Sequence, residues 1–402
     1  MRPLPVFFAA LGLSLAAISA RAQTATYIDS FIMPAPDAMP SYPFGLCLDD
    51  AGLVYVADNQ FTHSRVVRFS ATGAYDGAFG SKGTGNGQMQ NPEGIAVNSA
   101  ANRVYVCDKT NNRLEIFDTG GNWISTLTNP NGNAGYQISL PVGVGILSTS
   151  GDVYFGDAIN RVQRLSTEGV YQGQWGKNGS ADGQFGFFGA AGIASNPTTG
   201  QIYVVDYSNN RVQRFDSGGV FELTFGSNGG GDGQFMGPRF VAVDAAGHVY
   251  VTDVGNGRVE RFSADGVFEL AFGSNGSGDG QFNTPQGIAV SSSGIVYVAD
   301  QMNGRIQRWQ ITEAMKPVAA PVLTLTGKKK VAVKGAKVAL KGTTNGSVTS
   351  VTYTIGKKKG TASGTGAWKI SSAIKPGKSK ILIVAHGPGG DSAVVTVIVT
   401  RK

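Results

Sequence analysis

The chain has 402 residues, of which 58 are glycine, 41% hydrophobic and only 15% charged. Twice the usual glycine with little charge excludes a charged disordered chain and a coiled coil, and the turn-rich, helix-poor mix points to an all-β chain. The net charge of +7 conceals two parts: Pro317–Lys402 carries fifteen bases and one acid, Asp391, a net +14, whereas residues 24–316 carry seventeen bases and twenty-six acids, a net −9. An acidic body of that size argues against nucleic acid as its partner.

Residues 1–22 are predicted to be a secretory leader. Arg2 gives a positive start, Val6–Ile18 is uncharged and apolar, and Ala20-Arg21-Ala22 fits small-x-small cleavage before Gln23. The run is too short to span ~30 Å of hydrocarbon, and no other segment is a transmembrane candidate. The expectation is export, to a periplasm, cell surface or medium. Export permits a disulfide. Cys47 and Cys107 stand where other repeats carry Ala, Gly or Thr. They read as two small buried residues, and whether they pair is left open.

A repeat then governs the chain. An Asp ends an apolar run and an Arg follows: Asp58/Arg65, Asp108/Arg113, Asp157/Arg161, Asp206/Arg211, Asp253/Arg258 and Asp300/Arg305, with Asp spacings of 50, 49, 49, 47 and 47. A Tyr precedes each Asp by three residues, and Pro-x-Gly-Ile-Ala-Val or a variant comes earlier, as at Pro92–Val97 and Pro285–Val290. Each period divides into four short strands, here a to d. Strand d carries aromatic residues four apart, such as Tyr75/Phe79 and Phe221/Phe225, expected on one face of the strand. The sixth repeat lacks strand d, and Tyr27/Phe31 near the N-terminus has the missing spacing. The N-terminal strand is therefore expected to complete the last unit and close a six-bladed β-propeller over residues 23–315.

Asp-x-x-Asn-x-Arg-Val-Gln-x-Phe followed by Phe-Gly-x-x-Gly-x-Gly-Asp-Gly-Gln-Phe-x-x-Pro-x-Gly-Ile-Ala-Val resembles the NHL repeat, with Phe272–Val290 a nearly pure example. Blade 1 has two extra residues between Asp58 and Arg65, blade 3 has one fewer between Asp157 and Arg161, and blade 4 has Ala190 for Pro. The resemblance implies a binding platform or, alternatively, an enzyme of lyase or lactonase type with zinc or calcium in the axial channel.

Lys316–Pro321 reads as a linker. Residues 322–402 show alternating strands, predicted over Val331–Leu340, Val348–Ile355, Ala367–Ile370, Ile381–Ala385 and Ala393–Val399, with Trp368 as anchor. The pattern resembles a bacterial Ig-like sandwich. Its lysine runs, Lys328–Lys330 and Lys357–Lys359, suit an anionic cell-surface polymer.

Strand parity puts the b–c loops and the long glycine-rich d–a loops on one face, the upper face. Features common to all blades serve the fold, so the six Asp/Arg pairs are read as structural, each carboxylate accepting backbone N–H groups of its b–c turn and pairing with the Arg of the same hairpin. Positions that differ between blades are the ligand-binding candidates: Glu93, Arg239 and Gln286 within Pro-x-Gly, Lys109, Tyr207 and Gln301 after the strand b Asp, and Phe240, which replaces a glycine. Arg239→Ala is expected to weaken binding and leave folding nearly unchanged. His63, His248 and His386 fall in separate places, no nucleophile elbow or Cys–His pair occurs, and no catalytic residue is assigned. Glu93 is the one candidate calcium ligand. The reading is an exported protein that offers its upper face to a protein or glycan.

Overall fold

The structure, a computed structural model, describes residues 23–36, 39–128, 137–313, 322–333, 337–345, 348–387 and 390–401. The expected leader and the linker at 316–321 lie outside the described residues. The chain divides into two compact units, one of Gln23–Thr312 and one that includes Glu313–Lys402.

The first unit holds six four-stranded antiparallel sheets. Blade 1 consists of Pro43–Leu48, Val54–Asp58, Arg65–Phe69 and Tyr75–Phe79. The innermost strands of the other blades are Pro92–Asn98, Val144–Ile146, Ala190–Ser195, Pro238–Val243 and Pro285–Val290, and each neighbours the next until the last returns to the first. They run Ile/Ala/Val-rich because both faces are buried. Glycine lets them converge. A Cβ on Gly94 would lie 2.5 Å from the Val142 carbonyl oxygen, and one on Gly192 2.5 Å from the Cα of Phe240.

The ring closes as the sequence predicts. Thr24–Ile32 pairs antiparallel with Arg305–Thr312, from Thr24 opposite Thr312 to Ile32 opposite Arg305. The two rings of a strand d meet different partners. Tyr75 packs on Phe69 of its own blade at 6.3 Å, whereas Phe79 packs on Phe117 of the next at 4.9 Å. A register shift between them adds a residue, so the pair spans two blades instead of lining one face. Phe31 on Phe69 repeats the contact across the seam at 4.7 Å.

The repeated Tyr is a second inter-blade tie. Tyr55, Tyr105, Tyr154, Tyr203 and Tyr297 each donate to a carbonyl in the c–d turn of the next blade: Thr119, Thr167, Ser217, Ala264 and Ala71. Tyr250 has no such turn to meet, because blade 6 takes its outer strand from the N-terminus. It donates to Asp244 instead, which also holds His248 Nδ1 at 2.9 Å.

The second unit is a two-sheet sandwich. One sheet orders Val322–Thr326, Lys337–Asn345 and Ala367–Ala373; the other contains Lys330–Val333, Val395–Arg401, Gly377–Gly387, Ser350–Ile355 and Lys358–Thr361. Trp368, Val338, Val351, Ile381 and Val397 share its core. The single strand expected over Val331–Leu340 is two strands, one in each sheet. Charged and apolar residues alternate through both, so periodicity alone hid the change of sheet.

Candidate functional site

The repeated Asp/Arg pair builds the loops of the upper face. In blade 5, Asp253 Oδ2 accepts from Arg258 Nε at 2.9 Å and Asn256 Nδ2 at 2.7 Å, while Oδ1 accepts from Met236 N–H in the preceding d–a loop at 2.7 Å. Arg258 Nη2 donates onward to the Gly231 and Gln234 carbonyls of that loop. In blade 2, Asp108 accepts from Gln90 N–H and Arg113 Nε, both at 2.7 Å, and Arg113 donates onward to the Thr84, Gly85 and Gln88 carbonyls. In blade 4, Asp206 accepts from Gly186 N–H at 2.9 Å and Arg211 Nε at 2.8 Å, and Arg211 Nη2 reaches the Ala181 and Gln184 carbonyls. Blade 6 follows through Asp300 and Arg305.

The carboxylate thus staples the glycine-rich loop to the b–c hairpin, which corrects the expectation that it serves its own b–c turn. Among the six, only Asp157, in the shortened hairpin of blade 3, accepts from the backbone of its own turn, at Ile159 N–H. The expected pairing of Arg113 and Arg211 with the hairpin Asp is present. Each keeps that pair through Nε but directs its Nη donors to the preceding loop, because the guanidinium fork has more N–H groups than one carboxylate oxygen accepts. Each also meets a second acid: Arg113 lies 2.9 Å from Glu115, and Arg211 4.0 Å from the exposed Asp182. Arg65 and Arg161 likewise hold their Asp through Nε, at 3.1 and 3.0 Å, and donate to the Pro34 and Gln137 carbonyls. The middle Gln of strand c joins the staple. In blade 4, Gln213 accepts from Gly183 N–H through Oε1 and donates through Nε2 to Gln184 O and Asp206. Blade 5 has Glu260 there, fully buried, and burial pushes its carboxyl from 4.5 up to about 7.

At the mouth of the ring the structure brings several candidates together. Glu93, in blade 2, and Arg239, in blade 5, stand three blades apart on opposite sides of the axis. Arg239 Nη2 donates to Glu93 Oε2 at 2.8 Å, so the ion pair crosses the channel. Lys109 Nζ donates to Glu93 Oε1 at 2.6 Å. The Arg239 guanidinium lies 5.3 Å from the ring centroid of Phe44 and 5.5 Å from that of Tyr207, and Phe44 meets Phe240 edge to face at 5.8 Å. Gln286 and Gln301 form a separate pair, Nε2 to Oε1 at 3.2 Å. The Glu93 side chain is only 4% exposed. Arg239 therefore neutralises a buried carboxylate, which corrects the expectation that Arg239→Ala spares the fold.

Beneath this plug the six inner strands line an open axial cavity of about 240 Å³. Leu46, Ile95, Val144, Ile193, Val241 and Ile288 line it, with Cys47. Cys47 and Cys107 are both free thiols. Glu93, the one candidate calcium ligand, has both carboxylate oxygens taken by cations, and the matching Pro-x-Gly positions of the other blades are Phe44, Val142, Ala191, Arg239 and Gln286. Among the described residues no group of three or more His, Cys, Asp or Glu is placed to hold a metal. The histidines lie apart: His63 beside Asp58, His248 beside Asp244 and His386 beside Asp391.

The upper loops also expose large apolar side chains. Phe61, Ile159, Phe187, Phe188, Tyr207, Met236 and Met302 surround the plug, with Phe61 79% and Phe187 65% exposed. At the c–d turns of the lower face the exposed counterparts are Val170, Val220 and Val267, with Tyr75, Trp123 and Tyr171 exposed where strand d begins. Sequence comparison between blades missed Phe61 and the Phe187–Phe188 pair. Their signals were the insertion in blade 1 and the loss of Pro before blade 4.

The NHL repeat matches this chain at residues 89–117, 189–215, 235–262 and 282–309. The chain carries NHL repeats. The four matches fall on blades 2, 4, 5 and 6; blades 1 and 3, whose Asp-to-Arg spacing departs, are not among them. Protein lin-41 of Caenorhabditis elegans is 49% identical over 47 residues, 12% of this chain and 4% of that protein, so the chain spans a small part of that relative. Among solved structures, an auxiliary nutrient binding protein from Bacteroides thetaiotaomicron is similar at a TM-score of 0.53 and 14% identity, over 72% of this chain and 77% of that one. Virginiamycin B lyase from Staphylococcus aureus is similar at a TM-score of 0.48 and 12% identity, over 72% of this chain and all of that one. The likeness to the nutrient binding protein is one of fold.

Proposed function

We propose that this NHL propeller is an exported binding protein whose upper face takes a protein or glycan ligand. The observation that carries the reading is the asymmetry of the two faces. The upper loops are stapled by repeated Asp/Arg pairs and carry the two most exposed aromatic residues, Phe61 and Phe187, together with exposed methionines, whereas the lower edge exposes valines of the c–d turns and the strand d aromatics Tyr75, Trp123 and Tyr171. Exposed aromatic residues around a desolvated Arg are the ordinary chemistry of binding hot spots. Export rests on the leader sequence. The second unit is read as an Ig-like module with affinity for anionic cell-surface polymer. Its pairing of Lys330–Val333 parallel to Val395–Arg401 supports the first part, and its excess of lysine the second.

Paired photo-crosslinking probes at Met302 and at Val267 test the reading against a glycan array and extracts of the producing cells. The Met302 probe is expected to capture ligand and the Val267 probe not. Capture from Val267 alone would place binding on the lower face.

A further inference from the structure

Blade 1 departs from the repeat where the chain builds a pocket of about 470 Å³ on the upper face, within the size range of small-ligand sites. The two extra residues of the Asp58–Arg65 loop displace the usual Asn staple. In blades 2, 4, 5 and 6 an Asn side chain bonds both the Asp carboxylate and the glycine-rich loop, as Asn111 does with Asp108 and Gly83. In blade 1, His63 stands beside Asp58 instead, and Phe61 is carried into solvent. Lys82 Nζ sits 3.6 Å from the centroid of the Phe61 ring.

The pocket walls are fixed by their backbones. Asn59 N–H donates to Tyr42 O at 3.0 Å, Thr110 N–H to Gln90 O at 3.1 Å, and Gln90 N–H to Asp108 at 2.7 Å. Buried Gln60 is held by Pro40 O at 3.0 Å. The half-buried carboxamides of Asn59, Gln90 and Asn91, and the hydroxyls of Tyr42 and Thr110, line the same space and bond to no described residue. Among the described residues no carboxylate lines it, and Lys82 is its single charge.

Three carboxamides, each offering a donor and an acceptor, match the vicinal hydroxyl groups of a sugar ring. The exposed face of Phe61 offers an apolar platform for the C–H face of the same ring. We infer that this pocket is a saccharide subsite for one or two hexose units. The subsite deepens the upper-face reading and rests on it.

The test uses the full chain with four probes: galactose, N-acetylglucosamine, cellobiose and digalacturonate. Saturation-transfer NMR and calorimetry are expected to show at least one disaccharide binding with Kd on the order of 1 mM or tighter. Phe61→Ala and Asn59→Ala should each weaken it about tenfold, a loss of about 1.4 kcal/mol. Phe61 is exposed and Asn59 half-buried, and an unchanged melting curve confirms folding. Lys82→Ala should lower affinity for digalacturonate more than for cellobiose, because Lys82 is the single charge of the pocket. The subsite is refuted if none of the four sugars binds, if Phe61→Ala binds as tightly as the parent, or if trialanine competes as well as the sugar. Binding lost on Tyr207→Ala and Phe187→Ala but kept in Phe61→Ala would refute the subsite alone and leave the upper face standing.

Discussion

Glu260→Gln is expected to stabilise the propeller above neutral pH. Glu260 has no exposed side-chain surface, its Oε2 has no hydrogen-bond partner, and it lies close to the Asp253 carboxylate. Burial is the main cause that lifts its carboxyl from 4.5 to about 7, with the Asp253 charge adding to it and Arg258 opposing. The folded chain therefore keeps a proton that the unfolded chain releases near 4.5. Stability of the parent falls as pH rises between those two values and is level above the higher one. The shift sets a ceiling of about 3 kcal/mol at 1.36 kcal/mol per unit, and a gain of about 1–3 kcal/mol is expected because glutamine gives up the 2.9 Å ion pair of Glu260 with Arg258. Glutamine also supplies what blade 4 already has. Its Oε1 keeps the Gly233 N–H, and its Nε2 reaches toward Gln234 O and Asp253, as Gln213 does toward Gln184 and Asp206. Calorimetry of parent and variant at about pH 8.5 should separate the propeller transitions by roughly 3–10 °C, and the difference should shrink toward zero near pH 4.5. A variant that melts no higher than the parent at alkaline pH, or gains as much in acid, would refute the reasoning.

Arg239→Ala should destabilise the chain by about 3 kcal/mol in urea titration, since Glu93 keeps only Lys109 and the rings of Phe44 and Tyr207 lose their cation; Arg239→Ala paired with Glu93→Gln should recover part of that loss. Removing Thr24–Ile32 deletes a strand ladder, two aromatic contacts and the Asp29–Arg308 pair. The expected outcome is trypsin cleavage within blade 6 and a melting point lower by well over 10 °C, about 5 kcal/mol or more. His248 is raised above 6.5 mainly by its bond to Asp244, whose own value is lowered. Its contribution is therefore complete below 6.5 and fades as pH rises through the raised value, while that of Asp244 fades in acid. The stability difference between parent and His248→Gln should be largest below pH 6.5 and should shrink as pH rises through the raised value of His248.

Much of the fold was legible because the repeat states it six times. The Tyr27/Phe31 spacing gave the closing strand, and the strand b Asp gave the turn at which each hairpin reverses. The destination of the Asp carboxylate was not legible. Its main partner lies in a loop about eighteen residues upstream, as Asp108 does from Gln90. The same distance hid the second role of Arg113 and Arg211, whose loop acceptors lie further upstream still. Internal comparison picked out Glu93, Lys109, Tyr207 and Arg239 because they break the pattern. It could not show that blades 2 and 5 face each other across the axis and join, since sequence order does not measure width. Phe61 and Phe187 escaped notice because residues inside loops of unequal length have no counterpart to be compared with.

The seam also has a mechanical consequence. Thr24 and Thr312 sit opposite one another at the same end of an antiparallel pair. Tension applied between these two points would peel the ladder open one bond at a time. Tension applied between Thr312 and the upper loops instead runs along Arg305–Thr312, which is flanked by strands on both sides. That strand must slide past two neighbours at once before it yields. A ligand pulling on the upper face, with the chain held beyond Thr312, thus loads the ring in its strong direction and leaves the weak one slack.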